Sequence, residues 1–224
     1  MAEQRLHVET VVSAPFDQNC QVVWLEGRTD CLVIDPGFDT IQLLALLDAR
    51  GLTPAAILIT HGHLDHIGGN AALKQRWPQV SIVVGEHEAD KLIDPAGNLS
   101  ATYGLALVSP PADTLVKHGQ TIEAAGMKLE TREIPGHSSG HVVYVLHDPS
   151  PCHVFGGDVL FAGSVGRTDF PGGSFPQLGH GIHEHLFTLP DDTVVFAGHG
   201  PQTTIGAEKR SNPFVGAPAG WRPG

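Results

Sequence analysis

Four potential metal ligands fall within the six residues that follow Thr60 in Thr60-His61-Gly62-His63-Leu64-Asp65-His66. Neutral imidazole and carboxylate oxygen are the common nitrogen and oxygen donors for divalent cations, so the chemistry this segment implies is metal coordination. The segment follows a short apolar run, 55–60 (AAILIT), and precedes a helix-like stretch, which puts the ligands on a turn just past a strand end. In an extended turn His61 and His63 point the same way, as alternate residues do. Asp65 and His66, nearer the helix start, can serve a neighbouring position, so the spacing can supply two cations.

Zinc-like ions take about four to six ligands each, some of them water, so two coordination spheres need more donors than this turn holds. Three later strand ends offer them: His137 in Ile134-Pro-Gly-His, Asp158 in Phe155-Gly-Gly-Asp, and His199 in Val195-Phe-Ala-Gly-His-Gly. Each sets one ligand beside a glycine, which lets backbone approach closely. Any one alone is weak, whereas the shared arrangement of all three with the first motif is a strong joint signal.

The elements that must position these residues alternate along the chain. Strands are expected at 6–12, 20–26, 31–35, 55–60 and 80–84, and helices at 40–50, 69–77 and 86–93. Asp35-Pro36-Gly37 breaks the chain after the third strand. Residues 114–134 suggest consecutive strands turning at His118-Gly119 and Ala125-Gly126, followed by strands at 141–147 and 153–156. Residues 157–174 read as a Gly-rich loop, 176–188 as a helix and 193–197 as the last strand. One mixed α/β domain over 1–210 is expected, with an irregular Pro/Gly-rich tail over 211–224.

A net charge of −11 repels phosphate backbones and excludes nucleic acid as an expected partner. Three cysteines without C-x-x-C spacing argue against both a disulfide framework and a thiolate zinc site. The N-terminus shows no basic-then-apolar leader, and no apolar run is long enough to span a bilayer. A cytoplasmic protein without membrane association is expected.

T-H-G-H-L-D-H, G-H-S-S-G-H, G-G-D-V-L-F and A-G-H-G-P, in that order, resemble the metallo-β-lactamase superfamily, and within it the glyoxalase II-like hydrolases, over about residues 6–205. The resemblance implies a four-layer αββα sandwich with mixed sheets and its site at one edge. It implies that His61, His63 and His137 bind one metal, that Asp65, His66 and His199 bind the other, and that Asp158 bridges them. Two divalent ions are expected, zinc first, with iron or manganese as alternatives.

Two such cations acidify a water and polarise a carbonyl. Asp65 could aim that water. No dedicated general acid is evident, which favours a thiolate leaving group, since a thiol pKa is only about 8.5. The expected substrate is a small anionic thioester of the S-2-hydroxyacylglutathione type. Arg167 stands where the resemblance implies a cation that binds the glutathione moiety, and Asp169 could instead hold it in a loop-fixing ion pair. The chain departs from larger glyoxalase II enzymes in having Thr168-Asp169 after the cation, and only about 20 residues after the last metal motif. The main rival is a persulfide dioxygenase of the same fold, with one iron on His61, His137 and Asp158, a donor set suited to ferrous iron. A non-catalytic metal-binding module is expected to lack ligands, and none is missing. A nuclease would need a basic face.

Overall fold

The computed structural model describes residues 4–222. Residues 1–3, where the search for a leader began, and 223–224, the end of the expected tail, lie outside the described residues. The first half of the chain forms a six-stranded sheet from β1 (Leu6–Ser13), β2 (Gln18–Leu25), β3 (Asp30–Ile34), β4 (Thr53–Ile59), β5 (Ser81–Gly85) and β6 (Thr114–Val116), in that order. The first three strands run antiparallel and β3 to β6 run parallel. The crossovers carry α1 (Thr40–Arg50), α2 (Leu64–Ile67) and α3 (Asn70–Arg76).

The second half forms another six-stranded sheet from β7 (Thr121–Ala124), β8 (Met127–Glu133), β9 (Val142–Leu146), β10 (His153–Gly157), β13 (Val194–Ala197) and β14 (Thr203–Thr204). A small hairpin, β11 (Leu160–Phe161) with β12 (Ser164–Val165), lies between β10 and α4 (Phe175–Gly181), and α5 (Ile205–Ser211) follows β14.

Strand periodicity explains why these elements stack in four layers. Side chains alternate across each strand. In β3, Cys31 and Val33 join a core with Leu43 and Leu47 of α1 and Leu73 of α3. Leu32 and Ile34 face the opposite way, into a core shared with Leu129, Tyr144 and Phe155 of the second sheet. In β9, Val143 and Val145 face outward against Leu178 of α4, Ile182, Leu186 and Ile205 of α5. The order is helices, sheet, sheet, helices, with mixed sheets, as the sequence led us to expect.

The structure departs locally from these expectations at three places. The expected helix at 86–93 is a turn followed by a single 3-10 turn, Ala89–Leu92, because the Glu86 N–H is still engaged by the Val116 carbonyl of β6 and the Glu88 N–H closes a turn on the Gly85 carbonyl. The loop at 157–174 contains the β11–β12 hairpin. The helix expected at 176–188 is α4 followed by a wider π turn, Ile182–Leu186. After α5 the chain stays on the body of the protein, with Val215 buried against the outer face of the second sheet. Among the described residues no helix is long and apolar enough to cross a membrane.

Of the polar contacts that tie the two sheets, one lies inside their shared core. The buried Tyr144 hydroxyl of β9 donates to the Ile59 carbonyl of β4 at 2.7 Å, two residues before His61. Tyr144→Phe leaves that carbonyl without its partner, and urea denaturation is expected to show a loss of about 1–2 kcal/mol. An unchanged midpoint would show that the tie contributes nothing.

Candidate metal centre

Every predicted ligand leaves the end of a strand at the same edge of the sandwich. His61, His63, Asp65 and His66 follow β4, with His63 extended at the N-cap of α2. His137 follows β8, Asp158 follows β10 and His199 follows β13. The structure brings all seven together.

Three groups of donors result among the described residues; one joins Asp35 to His61 and His66, and the other two share no residue. Ligand atoms of His61, His63 and His137 lie within 4.8 Å of one another, and so do those of Asp65, His66 and His199. Asp158 stands between them. Its Oδ2 is 3.5 Å from His137 Nε2 and 3.6 Å from His199 Nε2, and its Oδ1 is 3.5 Å from His66 Nε2. Asp65 Oδ2 is 3.3 Å from His199 Nε2 and 3.7 Å from His66 Nε2.

The outer nitrogens of the rings are held so that the inner ones face this space. His137 Nδ1 is 2.8 Å from the Arg167 carbonyl and can donate only to it. His66 Nδ1 meets Asp35 Oδ2 at 2.9 Å. Asp35 also accepts from the backbone N–H and the hydroxyl of Thr60, each at 2.7 Å. Asp158 is set by its own N–H, which donates to His141 Nε2 at 3.0 Å. The preceding Gly157 has φ +47°, and a Cβ there would run into Thr60 and lie 2.8 Å from His141 Nε2. His199 is placed by Asn19, whose side-chain amide donates to the Ala197 and Gly200 carbonyls at 3.0 and 2.7 Å.

Three atoms test whether the donor set fits cations. His61 Nε2, His66 Nε2 and Asp158 Oδ1 are buried and have no hydrogen-bond partner. Each such group costs about 1–3 kcal/mol if left unsatisfied. A cation on each side of Asp158 would satisfy all three, and the donors are imidazole nitrogen and carboxylate oxygen, which suit divalent ions.

The electrostatics point the same way. Burial, then the neighbouring imidazoles, hold His61 and His63 well below the ordinary imidazole range, keeping both neutral. His66 behaves oppositely. Burial opposes its charge, but Asp65, Asp158 and Asp35 outweigh it and push its pKa up to about 10. Burial likewise opposes the raised pKa of His199, and the contacts with Asp65 and Asp158 overcome it. Asp65 is held below the usual carboxylate range by His66 and His199 despite burial. The second group is thus a field that attracts positive charge, as protons or as a metal that displaces them.

Beside the converging donors lies a cavity of about 180 Å³ lined by Phe16, Leu64, Leu99, Tyr103, Arg167 and Phe170 together with several of those donors. Arg167 stacks over Phe170 at 4.3 Å, and its Nε and Nη2 donate to Asp169 at 2.6 and 2.7 Å. An incoming anion would meet Arg167 as half of an ion pair.

Residues 14–199 match the family model of the metallo-beta-lactamase superfamily. This chain belongs to that superfamily. Among its relatives, the hydroxyacylglutathione hydrolase GloC of Haemophilus influenzae (strain ATCC 51907 / DSM 11121 / KW20 / Rd) is 36 % identical over 213 residues, spanning 94 % of this chain and 98 % of that one. The crystal structure of the BLEG-1 B3 metallo-beta-lactamase superposes with a TM-score of 0.88 at 35 % identity, covering 93 % of this chain and 99 % of the other. That of TTHA1623 in a di-iron-bound form gives 0.80 at 36 % identity, covering 93 % and 100 %. The superfamily places this chain among metallo-hydrolases, with His/Asp clusters suited to divalent metals.

Sequence reading missed Asp35, His141 and Asn19 as supports. Asp35 had a usable signal: like the ligands, it is an acidic residue at a strand end before a Pro-Gly break. In metal-free protein its loss has a definite sign. The His66 pKa is raised above its unfolded value of about 6.5, so protonated His66 contributes stability below about pH 6.5 that is lost as pH climbs towards about 10. Asp35→Asn is expected to lower the His66 pKa, read by NMR titration of metal-stripped protein. A pKa that stays put would remove Asp35 from the field.

Proposed function

We infer that this protein is a binuclear metal-dependent hydrolase acting on thioesters of the S-2-hydroxyacylglutathione type. One observation carries the reading: two complete donor groups share Asp158, and the buried atoms without partners face the space between them. His61, His63 and His137 would hold one ion, and Asp65, His66 and His199 the other. Zinc is proposed first, with iron or manganese as alternatives. When bound, the pair would acidify a water and polarise the substrate carbonyl.

The chain's own residues supply the rest. Asp65 lies between His66 and His199 and can accept a hydrogen bond from the attacking water, which aims its lone pair. Phe16, Leu99, Tyr103 and Phe170 wall the cavity against bulk water and leave room for a short acyl group. Arg167 would steer the carboxylate-bearing thiol portion from the rim, in competition with Asp169. The departing thiolate needs no protonated residue behind it, its thiol pKa being only about 8.5. The relative named a hydroxyacylglutathione hydrolase, matched along nearly its whole length, supports this substrate class. A small-molecule role in the cytoplasm, without nucleic acid or membrane, accords with the acidic charge.

A mono-iron oxygenase needs only His61, His137 and Asp158, and leaves Asp65, His66 and His199 converging for no purpose. The structure therefore favours the two-ion hydrolase. Purified protein is expected to hold near two metals and to hydrolyse S-lactoylglutathione in preference to a lactone, a phosphodiester or a β-lactam run beside it. Asp158→Ala and His63→Ala should each lower that rate by more than about 100-fold without unfolding the chain, since outer supports of a metal site alone are worth about 10–100-fold. Stoichiometric oxygen uptake with glutathione persulfide by a one-iron protein would overturn the assignment.

A further inference from the structure

Glu88 is a fully buried carboxylate that neither the ligand set nor the cavity uses. It sits in the turn after β5, just ahead of the 3-10 turn Ala89–Leu92. Its two oxygens reach two different metal-bearing loops. Oε2 accepts from the Gly62 N–H at 2.8 Å, the peptide between His61 and His63. Oε1 accepts from the Ser138 hydroxyl at 2.7 Å and the Gly140 N–H at 2.8 Å, in the loop just after His137. Lys91, one helical turn on, donates to the same Oε1 at 2.7 Å and also to the hydroxyls of Ser138 and Ser139 at 2.5 and 3.0 Å.

The packing shows that this turn is fitted between the loops. A Cβ on Gly62 would lie 2.6 Å from Lys91 Cβ, and one on Gly85 would lie 2.8 Å from Val142 Cγ1. One on Gly140 would run into His87. The two loops that meet the turn, and the end of β5 that leads into it, are thus reduced to backbone there. A buried carboxylate is costly unless it is paired and hydrogen-bonded. Here, besides Lys91, its partners are two peptide N–H groups and one hydroxyl that flank three ligands of one group and none of the other.

We propose that Glu88, backed by Lys91, is the positioning residue of the first metal position: it sets the separation of the 61–63 and 137–140 loops and thereby the convergence of His61, His63 and His137. His63 Nδ1 and His137 Nε2, brought to 3.0 Å across that seam, are the pair it aligns. The proposal rests on the two-ion reading above. Its selectivity follows from connectivity. His66 is held by Asp35, and His199 by the Asn19-anchored loop, neither of which touches Glu88. Glutamine cannot replace it, because one end of an amide is a donor and would face either the Gly62 N–H or the Gly140 N–H and Lys91 ammonium.

The test is a titration of metal-stripped protein with cobalt(II), following d–d absorption and counting bound ions by native mass spectrometry. Wild type is expected to bind two. Glu88→Gln should weaken one ion by about 10–100-fold, the range for outer supports of a metal site, and leave the other within about threefold. Glu88→Asp should recover part of the loss. Lys91→Met, which keeps the carboxylate, should weaken the same ion to a smaller degree, and it decides the matter if Glu88→Gln does not fold. A Glu88→Gln protein that keeps both ions at wild-type affinity, or loses both equally, overturns the proposal alone. A wild type that binds fewer than two ions overturns the binuclear reading and this proposal with it.

Discussion

Concentrated charge at the shared edge of two sheets is the constraint on which everything else in the molecule depends. Asp35, Asp65 and Asp158 crowd round His66 and His199 with little water to separate them. Like-charged carboxylates so close repel strongly in a medium of low dielectric. Positive charge must therefore be present, and the protein offers imidazoles on one side and the space beside Asp158 on the other. The apolar layers confer rigidity on this arrangement. They hold each loop by a strand packed on both faces, so that the repulsion cannot be relieved by letting the loops swing apart.

The supports follow a common logic. Four of the seven donors are fixed by a neighbour that belongs to a different loop: His66 by Asp35, Asp158 by His141, His137 by the Arg167 carbonyl, His199 by the loop that Asn19 grips. The geometry of the centre is thus distributed. Displacing one loop would be felt at ligands on another, and a substitution need not touch a ligand to disturb its aim.

How much of this was legible in the sequence depended on range. The turn at 61–66 is a local signal, with its donors, strand and helix adjacent in the chain, and the structure places it between β4 and α2. His137, Asp158 and His199 were legible as a repeated pattern, a ligand beside glycine after a strand. The four layers were expected from the resemblance alone, and the two-faced burial of strands such as β3 and β9 shows what builds them. Asn19 was not legible, because its role is to reach the Ala197 carbonyl 178 residues away. Glu88 was masked differently. Its segment carries helix-favouring residues, and only the tertiary pull of two loops on its carboxylate reveals why it turns inward. The short hairpin β11–β12 was hidden by glycine content that speaks for a loop.

The ligands come from both sheets: β4 delivers four, and the ends of β8, β10 and β13 deliver three. Cations seated between them would act as rivets through the seam of the sandwich. The two halves of the chain, each a sheet with its own helices, meet elsewhere mainly through close-packed apolar side chains, whose individual contacts are weak and non-directional. A coordination bond is neither. Loading the centre would therefore add directional bonds to a seam otherwise held by packing, and part of the molecule's mechanical coherence would come to reside in the same atoms as its chemistry.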